Sequence, residues 1–491
     1  MNISLFLQMA ADACPDRPAV THNGNNYTYG QLFNAAKHAA QIFEKTGCQY
    51  VSLLDESSPA VPIALMGAAM AGIPYVPLNY RLSKEQLLPL FERISPAYLI
   101  TGKRDDNYDF EDWIVEESND FLHKCLKAEH SDYFKDVDPN EVAVQLFTSG
   151  TTGTPKAALL RHEHLVSYIL GSVEFMGAME EEAALVSVPP YHIAGISAVM
   201  SNIYACRQVV QLPNFNASEW LKLCQDHSVT SAFLVPTMLT RIIEELNENQ
   251  TLESLQSIAY GGGKMPVPGI QKALSRFPDV SFTNAYGLTE TSSTITLLGP
   301  DDHRDAHRSD NESVKARLGS VGKALPSVEI EIRDEEGKPL EANEPGEIYV
   351  RGPQVSGEYE GRSVLDNEGW FPTRDAGYLD NEGYLFLSGR ADDVIVRGGE
   401  NMSPGEIEDL LHEHPAIKDA AAVGIPSEEW GETVGLAVVL NSGHEVSDDA
   451  ICSLIRDHLR SSRVPEIVRF VDELPYNETG KLLRRVIKEW F

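Results

Sequence analysis

The chain reads as an α/β protein: a large N-terminal domain of stacked α/β layers, a β-rich subdomain that completes it, and a small mobile α+β domain at the C-terminus. Three observations carry that reading. Short β-branched or aromatic runs alternate with longer amphipathic stretches through the first two thirds of the chain, the pattern of parallel strands joined by helices. From about residue 318 the texture changes to strands punctuated by turn residues. Beyond residue 390, after a polar break, a strand–loop–helix pattern returns.

The strand candidates are 50–54, 97–101, 142–147, 183–188, 231–235, 257–260 and 281–286, with amphipathic stretches at 85–91, 219–227 and 238–245 among the helices between them. Residues 57–80 carry no charge. Pro59, Pro62, Pro74 and Pro77 interrupt that span, leaving a helix of about eleven residues, too short to cross a bilayer. A buried helix between two strands is expected there, and no membrane span. In the β-rich subdomain, about 318–390, Glu335-Glu336-Gly337, Asp366-Asn367-Glu368-Gly369 and Asp380-Asn381-Glu382-Gly383 are hairpin punctuation. The break at Ser388-Gly389-Arg390-Ala391-Asp392-Asp393 divides an N-terminal domain, 1–390, from a C-terminal one, 391–491. The latter opens with a strong helix start: Ser403 as cap, Pro404 in the first turn, and Glu406 to complete a capping box ahead of Ile407, Leu410 and Leu411.

At 491 residues the chain is too long for one ordinary domain, and 42% hydrophobic with 23% charged residues argues against long disorder. A formal net charge of −33 argues against nonspecific binding to nucleic acid or anionic membranes. Any anionic substrate must therefore be held by local donors. The six cysteines show no C-x-x-C pair and no metal-like spacing, and they read as scattered core thiols of a reducing, cytoplasmic compartment. No Lys or Arg precedes Asp12, so no signal peptide is expected.

The run Phe147-Thr148-Ser149-Gly150-Thr151-Thr152-Gly153-Thr154-Pro155-Lys156 follows the strand at 142–147. Its glycines let successive N–H groups turn toward one point, its hydroxyls add donors, and Lys156 adds a positive charge, which suits a polyphosphate. It is not the G-x-x-x-x-G-K-[ST] loop. Taken alone, such a loop is more often a plain turn; the order of residues is the specific feature. In Asn284-Ala285-Tyr286-Gly287-Leu288-Thr289-Glu290-Thr291, a strand end offers a flat Tyr286 ring for stacking, Thr289 for a phosphate, and Glu290 as a hard oxygen donor for Mg2+. Tyr260-Gly261-Gly262-Gly263-Lys264 permits close backbone approach to a planar ligand, or is an ordinary Gly turn; Lys264 reads as a solvated charge. Asp375 stands in Phe371-Pro372-Thr373-Arg374-Asp375-Ala376-Gly377, and Lys481 ends Pro475-Tyr476-Asn477-Glu478-Thr479-Gly480-Lys481.

These motifs, in this order, resemble the adenylate-forming superfamily of acyl-CoA synthetases, nonribosomal peptide synthetase adenylation domains and luciferases, and most of all its acyl- and aryl-acid–CoA ligases. The resemblance spans essentially the whole chain. It implies that Thr148, Ser149, Gly150, Thr151, Thr152 and Lys156 hold the ATP phosphates, joined by Thr289. Gly262, Ala285, Tyr286 and Gly287 border adenine, and Glu290 holds Mg2+. Asp375 accepts from both ribose hydroxyls, Arg390 contacts ribose or phosphate, Asp392 is the hinge, and Lys481 is the catalytic lysine of the first half-reaction. Two positions depart from the family pattern: Ala157 and Arg374 stand where glycine is usual.

Pro189-Pro190-Tyr191-His192-Ile193-Ala194-Gly195-Ile196 resembles the P-x-x-H segment of acyl- and aryl-CoA ligases. It lacks the aspartate with which amino-acid-activating relatives pair an ammonium group, so a non-amino acid is implied. A lone His is usually structural; here the motif assigns His192 to the reacting carboxylate. Tyr191, Ile193 and Gly261, with residues 191–196, 233–237, 260–263 and 291–296, are implied to line the acid pocket. In Arg397-Gly398-Gly399-Glu400-Asn401, the paired Gly398 and Gly399 leave room for a pantetheine arm and point to CoA. The basic residues Arg456, Arg460, Arg463, Arg469, Arg484, Arg485 and Lys488 suit CoA phosphates or form a solvated face. The expectation is an ATP-dependent acid–CoA ligase of fatty or aryl acids, a monomer or homodimer. Alternatives are transfer to a carrier protein in trans or to an amine, and, from another class, a ligand-binding scaffold without catalysis.

Overall fold

The computed structural model describes residues 1–102, 112–128, 131–148, 155–247, 250–390, 393–397, 400–427, 430–477 and 480–491. Among them lie four sheets of nine, eight, four and five strands. The two large sheets are mainly parallel and sandwich a layer of helices, as alternating strand and helix patterns require.

The eight-stranded sheet runs Ile114–Glu117, Ala97–Thr101, Tyr50–Leu54, Tyr75–Pro77, Val142–Thr148, Lys156–Arg161, Glu358–Tyr359 and Arg362–Ser363. Its first five strands are parallel. Val142–Thr148 then turns back antiparallel as Lys156–Arg161. The hydroxyl-rich run thus connects two strands rather than a strand and a helix. In the nine-stranded sheet, Pro18–His22, Gln208–Gln211, Ala183–Val186, Ser231–Leu234, Ser257–Gly261 and Ser281–Leu288 are parallel neighbours. Every strand expected from the sequence is present, with ends displaced by a residue or two.

Between the sheets pack Ser4–Ala13, Tyr29–Thr46, Ala60–Ala71 and Ile193–Tyr204 in one apolar core. Tyr29–Thr46 begins in the capping box Thr28/Gln31 and turns its small stripe (Ala35, Ala36, Ala39, Ala40) inward. Ala60–Ala71 is buried at every position, as its uncharged sequence requires. Ala217–Asp226, Pro236–Glu245 and Val267–Arg276 cover the other face of the nine-stranded sheet.

Four antiparallel strands, Glu329–Arg333, Gly346–Arg351, Phe371–Leu379 and Leu385–Arg390, form the third sheet, with turns closed by Gly337 N–H to Asp334, Gly369 N–H to Asp366 and Gly383 N–H to Asp380. The last sheet, built mainly on Ile417–Ser427 and Gly431–Leu440, packs against Pro404–His412 and Asp448–His458. The start of Pro404–His412 needs one correction. Ser403 Oγ accepts from Gly405 N–H as a cap should, but the Glu406 carboxylate does not complete a capping box; it accepts from Arg463 Nε at 2.9 Å. Arg463 is buried and its charge requires a partner, which outweighs a cap contact.

Candidate active site

The strand Ser281–Leu288 carries the centre of the site to its C-terminal end. A β-bulge falls between Tyr286 and Gly287 against Ser293–Leu298. A Cβ on Gly287 would come within 1.7 Å of the Ser293 carbonyl, and one on Gly261 within 2.1 Å of the Ala285 carbonyl. Both glycines are therefore demanded by close strand approach, and Gly262 follows at the exposed end. The Tyr286 hydroxyl donates to Asp375 Oδ2 at 2.6 Å. Asp375 is buried to 8% exposure, and its own N–H donates to Thr373 Oγ1. Arg374 holds a φ of +63°, the left-handed conformation of a glycine. The departure at this position thus keeps the backbone that glycine would give. Arg374's guanidinium lies outward, 3.8 Å from Glu347. The strand pairing sets Asp375 opposite Arg390, whose side chain lies outside the described residues.

Glu290 sits in a short 3-10 turn, Thr289–Thr291, and is buried. Tyr359 donates its hydroxyl to Glu290 Oε1 at 2.5 Å, and Lys156 Nζ lies 5.7 Å from the centre of the same ring. Tyr359 so joins the candidate phosphate-loop lysine to the candidate metal carboxylate, and Oε2 is the donor atom left for a cation. No cluster of three or more His, Cys, Asp or Glu suited to a metal occurs among the described residues. A single carboxylate fits Mg2+, which keeps waters and takes its other ligands from phosphate. Thr148 Oγ1 bonds the Lys156 carbonyl across the neck of the loop at 3.4 Å. Ser149, Gly150, Thr151 and Thr152 lie outside the described residues. Ala157 is buried and its carbonyl accepts from Glu360 N–H.

His192 precedes the helix Ile193–Tyr204, and its carbonyl takes the first amides, Gly195 and Ile196. Its ring leans on Tyr191 at 4.6 Å, and Tyr191 meets Tyr80 edge-on at 5.6 Å. Burial, reinforced by the charge of Arg81, lowers the His192 pKa to about 4. The imidazole is therefore neutral at physiological pH, a hydrogen-bonding group rather than a cation. Val186, Val188, Ala194, Ala198 and Phe233 make the neighbourhood apolar. In the 291–296 segment, the Thr291 hydroxyl serves the backbone of Leu288 and Ser293, and the Thr296 hydroxyl that of Val321. These two hydroxyls stiffen the bulge.

The C-terminal hairpin closes over this face. Tyr476 bridges Leu482, and Asn477 accepts from Lys481 N–H at 2.8 Å, forming a tight turn that presents Lys481. A Cβ built on Gly480 would lie 3.1 Å from Thr237 Oγ1, and one on Gly263 only 3.0 Å from the Gly480 carbonyl. The turn carrying Lys481 thus rests on the loops that follow Ser231–Leu234 and Ser257–Gly261. Lys264 is exposed, as the solvated-charge reading expects, and pairs at the surface with Asp409 at 2.7 Å, tying the loop after Gly263 to the helix Pro404–His412. The C-terminal basic residues are partly committed elsewhere. Arg484 binds Glu408 and the Ala422 carbonyl, Arg463 binds Glu406, and Arg469 lies over Phe491. Arg463 and Arg484 are removed from the candidate CoA-binding set, because each neutralises a carboxylate inside the fold. Asp392, Gly398 and Gly399 lie outside the described residues.

Sequence reasoning missed Tyr359 and His303. His303 is fully buried, with Nε2 against the Tyr260 hydroxyl at 2.9 Å and Nδ1 on the Gly299 carbonyl at 2.8 Å. That geometry makes Nδ1 the protonated nitrogen and Nε2 the acceptor, and it fixes Tyr260 just ahead of Gly261. Neither residue carries a local pattern; a strand-end Tyr in Glu358–Tyr359 is the faintest of signals.

Residues 7–360 match the family of AMP-binding enzymes, and residues 406–481 match the AMP-binding enzyme C-terminal domain. The 2-succinylbenzoate–CoA ligase of Bacillus cereus is 31% identical over 99% of this chain and 98% of its own length. The o-succinylbenzoate CoA synthetase of Bacillus subtilis, solved with its acyl-adenylate intermediate, superposes with a TM-score of 0.83 at 29% identity, covering 98% of this chain and 97% of that one. ATP-bound MatB of Rhodopseudomonas palustris gives 0.88 at 26% identity, covering 100% and 99%. With motifs, fold and full-length relatives in agreement, the chain belongs to the AMP-binding, adenylate-forming enzyme family.

Proposed function

We propose that the chain is an AMP-forming acid–thiol ligase that activates a non-amino aryl or fatty acid with ATP and passes the acyl group to CoA. One observation carries the reading: the turn bearing Lys481 rests on Gly263 and Thr237, on the face where Tyr286, Asp375 and Glu290 lie. A lysine brought onto a nucleotide-type site is suited to the adenylation half-reaction. The succinylbenzoate ligases among the relatives favour an aryl acid.

In the first step an oxygen of the acid's carboxylate attacks the α-phosphorus, the bond to the β-phosphate bridging oxygen breaks, and pyrophosphate leaves. Lys481 neutralises charge at the carboxylate and the 5′ oxygen. Asp375 holds the ribose, Tyr286 stacks on adenine, and Thr148 with Lys156 holds phosphate oxygens. Glu290 would hold Mg2+, which when bound would supply charge neutralisation on the triphosphate. Neutral His192 orients the acid by hydrogen bonding. The C-terminal domain then swings about Asp392, withdrawing Lys481 and presenting Gly398-Gly399. The thiolate sulfur of CoA attacks the mixed-anhydride carbonyl, the carbonyl carbon–phosphate oxygen bond breaks, and AMP leaves. The carbonyl is electrophilic in the anhydride as it is not in the carboxylate.

Six unpaired cysteines suit a reducing cytoplasm, and no helix among the described residues is long and apolar enough to cross a membrane. The test is pyrophosphate release with Mg·ATP across aryl, fatty and dicarboxylic acids, each with and without CoA. Multiple turnover only with CoA is the expected result. Release without CoA dependence replaces CoA with a carrier protein or an amine as acceptor, and no release with any acid removes the catalytic reading.

A further inference from the structure

We infer that Arg93 is a positioning residue for the phosphate loop, fastening both ends of it and tying it to the residue that supports Glu290. Arg93 is the last residue of the helix Lys84–Arg93, far in sequence from every motif of the site. Its Nη1 donates to the Pro155 carbonyl at 2.7 Å, at the point where the loop ends. Its guanidinium lies 4.8 Å from the centre of the Phe147 ring, where the loop begins. Nη2 and Nε donate to Glu360 Oε2 at 2.6 and 3.1 Å.

Glu360 is itself anchored, since its N–H donates to the Ala157 carbonyl at 3.0 Å. The neighbouring Tyr359 pairs with Ala158 across the sheet and gives its hydroxyl to Glu290. One planar cation therefore joins three things: the loop's entry, its exit, and the short hairpin strand that carries the Glu290 partner. Only arginine has the fork to donate to a carbonyl and a carboxylate at once while stacking on a ring.

The need for such a fastening is visible in the surroundings. Pro155 and Lys156 are only partly buried, and an open cleft of about 320 Å³ runs past them between Arg93, Tyr359 and Arg362. The run is followed by the strand Lys156–Arg161, paired antiparallel with the strand that precedes it. Arg93 holds the two described ends of the run together, and its effect falls on ATP, not on the acid or on CoA.

The inference rests on reading residues 148–156 as the triphosphate loop, and the experiment separates the two. Arg93→Gln, Arg93→Lys, Glu360→Gln and Lys156→Ala are compared in the full-length protein by ATP–pyrophosphate exchange, by thiolation of supplied acyl-adenylate, and by thermal melting. Arg93→Gln is expected to raise the ATP KM about ten-fold, with the acid KM and thiolation within about two-fold of the parent. Arg93→Lys recovers only part of the ATP KM, and Glu360→Gln shows a weaker loss of the same kind. An unchanged ATP KM in Arg93→Gln, with a raised one in Lys156→Ala, overturns the inference and leaves the loop reading intact. An unchanged ATP KM in both overturns the loop reading and the inference with it. Equal loss of both half-reactions alongside a lowered melting temperature makes Arg93 a folding residue only. Should Arg93→Gln fail to fold, the ATP KM of Glu360→Gln decides.

Discussion

The hydroxyl of Tyr286 donates to Oδ2 of Asp375 at 2.6 Å. The ring proposed to stack on adenine and the carboxylate proposed to hold the ribose are thus one unit, built from two strands 89 residues apart. Tyr286→Phe keeps the ring and removes the donor. A hydrogen bond to a charged group is worth about 1.5–3 kcal/mol, and the Thr373 hydroxyl, which accepts from the Asp375 amide, does not replace it. The ATP KM should rise about ten-fold in pyrophosphate exchange, with little change in the acid KM. A variant that binds ATP as before would show that the tyrosine hydroxyl does not orient Asp375.

Arg374 tests how a departure from the family pattern is tolerated. At φ +63° it occupies a conformation that costs a non-glycine residue about 1 kcal/mol. Its exposed ion pair with Glu347, at 3.8 Å, offsets little of this. Arg374→Gly should therefore raise stability by about 0.5 kcal/mol, the gain being reduced by the extra freedom of glycine in the unfolded chain. Thermal melting reads the change, and the ATP KM should stay the same. A lowered melting temperature would mean that the Arg374 side chain does more than its one visible contact indicates.

What the sequence conveyed and what it hid divide along contact range. The strand at 142–147, the buried helix between Pro59 and Gly72, and the motifs around Tyr286 and Lys481 are local patterns, legible because period and spacing lie within a few residues. The Tyr359–Glu290 contact spans 69 residues, Arg463–Glu406 spans 57, and Lys264–Asp409 spans 145. No local pattern encodes such pairs. For this reason Glu406 reads as a capping residue, and the partner of Lys264 stays hidden, until the fold brings Arg463 and Asp409 alongside.

Lys264 and Asp409 predict a shift between half-reactions. Their contact at 2.7 Å joins the Gly263 loop to the helix Pro404–His412, in the same arrangement that sets the Lys481 turn against Thr237. Both side chains are about half exposed, so the pair is worth less than about 1 kcal/mol. Lys264→Ala should slow adenylation and speed thiolation of supplied acyl-adenylate, each by no more than about five-fold. The difference should shrink in high salt. Half-reaction rates that move together would rule out a role for the pair in domain orientation.

Lys481→Ala separates the two steps further. The lysine is presented by a turn that its own N–H closes onto Asn477, so truncating the side chain leaves the turn intact. Adenylation should fall at least about 100-fold, while thiolation of supplied acyl-adenylate persists. If both half-reactions fall equally, the two-conformation mechanism fails.

His192 predicts two pH dependences of known sign. Burial first, and the charge of Arg81 second, lower its pKa to about 4 in the folded protein, against 6.5 for a free imidazole. The unfolded chain therefore takes up a proton as pH falls below 6.5, while the folded one stays neutral until about 4. The stability this group contributes is complete above 6.5 and is lost as pH falls through that window, by at most about 1.4 kcal/mol per pH unit. His162, buried and also lowered to about 4, adds a parallel loss. His192→Gln should thus flatten the fall of melting temperature with acid without abolishing it, because His162 remains. For activity, a neutral imidazole has no charge to lose between about pH 5 and pH 8, so adenylation by the parent should show no inflection there that His192→Gln removes. The same variant should raise the acid KM and spare the ATP KM. An inflection near neutrality that disappears in the variant would show that His192 acts as a cation toward the substrate carboxylate, and that binding of the acid raises its pKa.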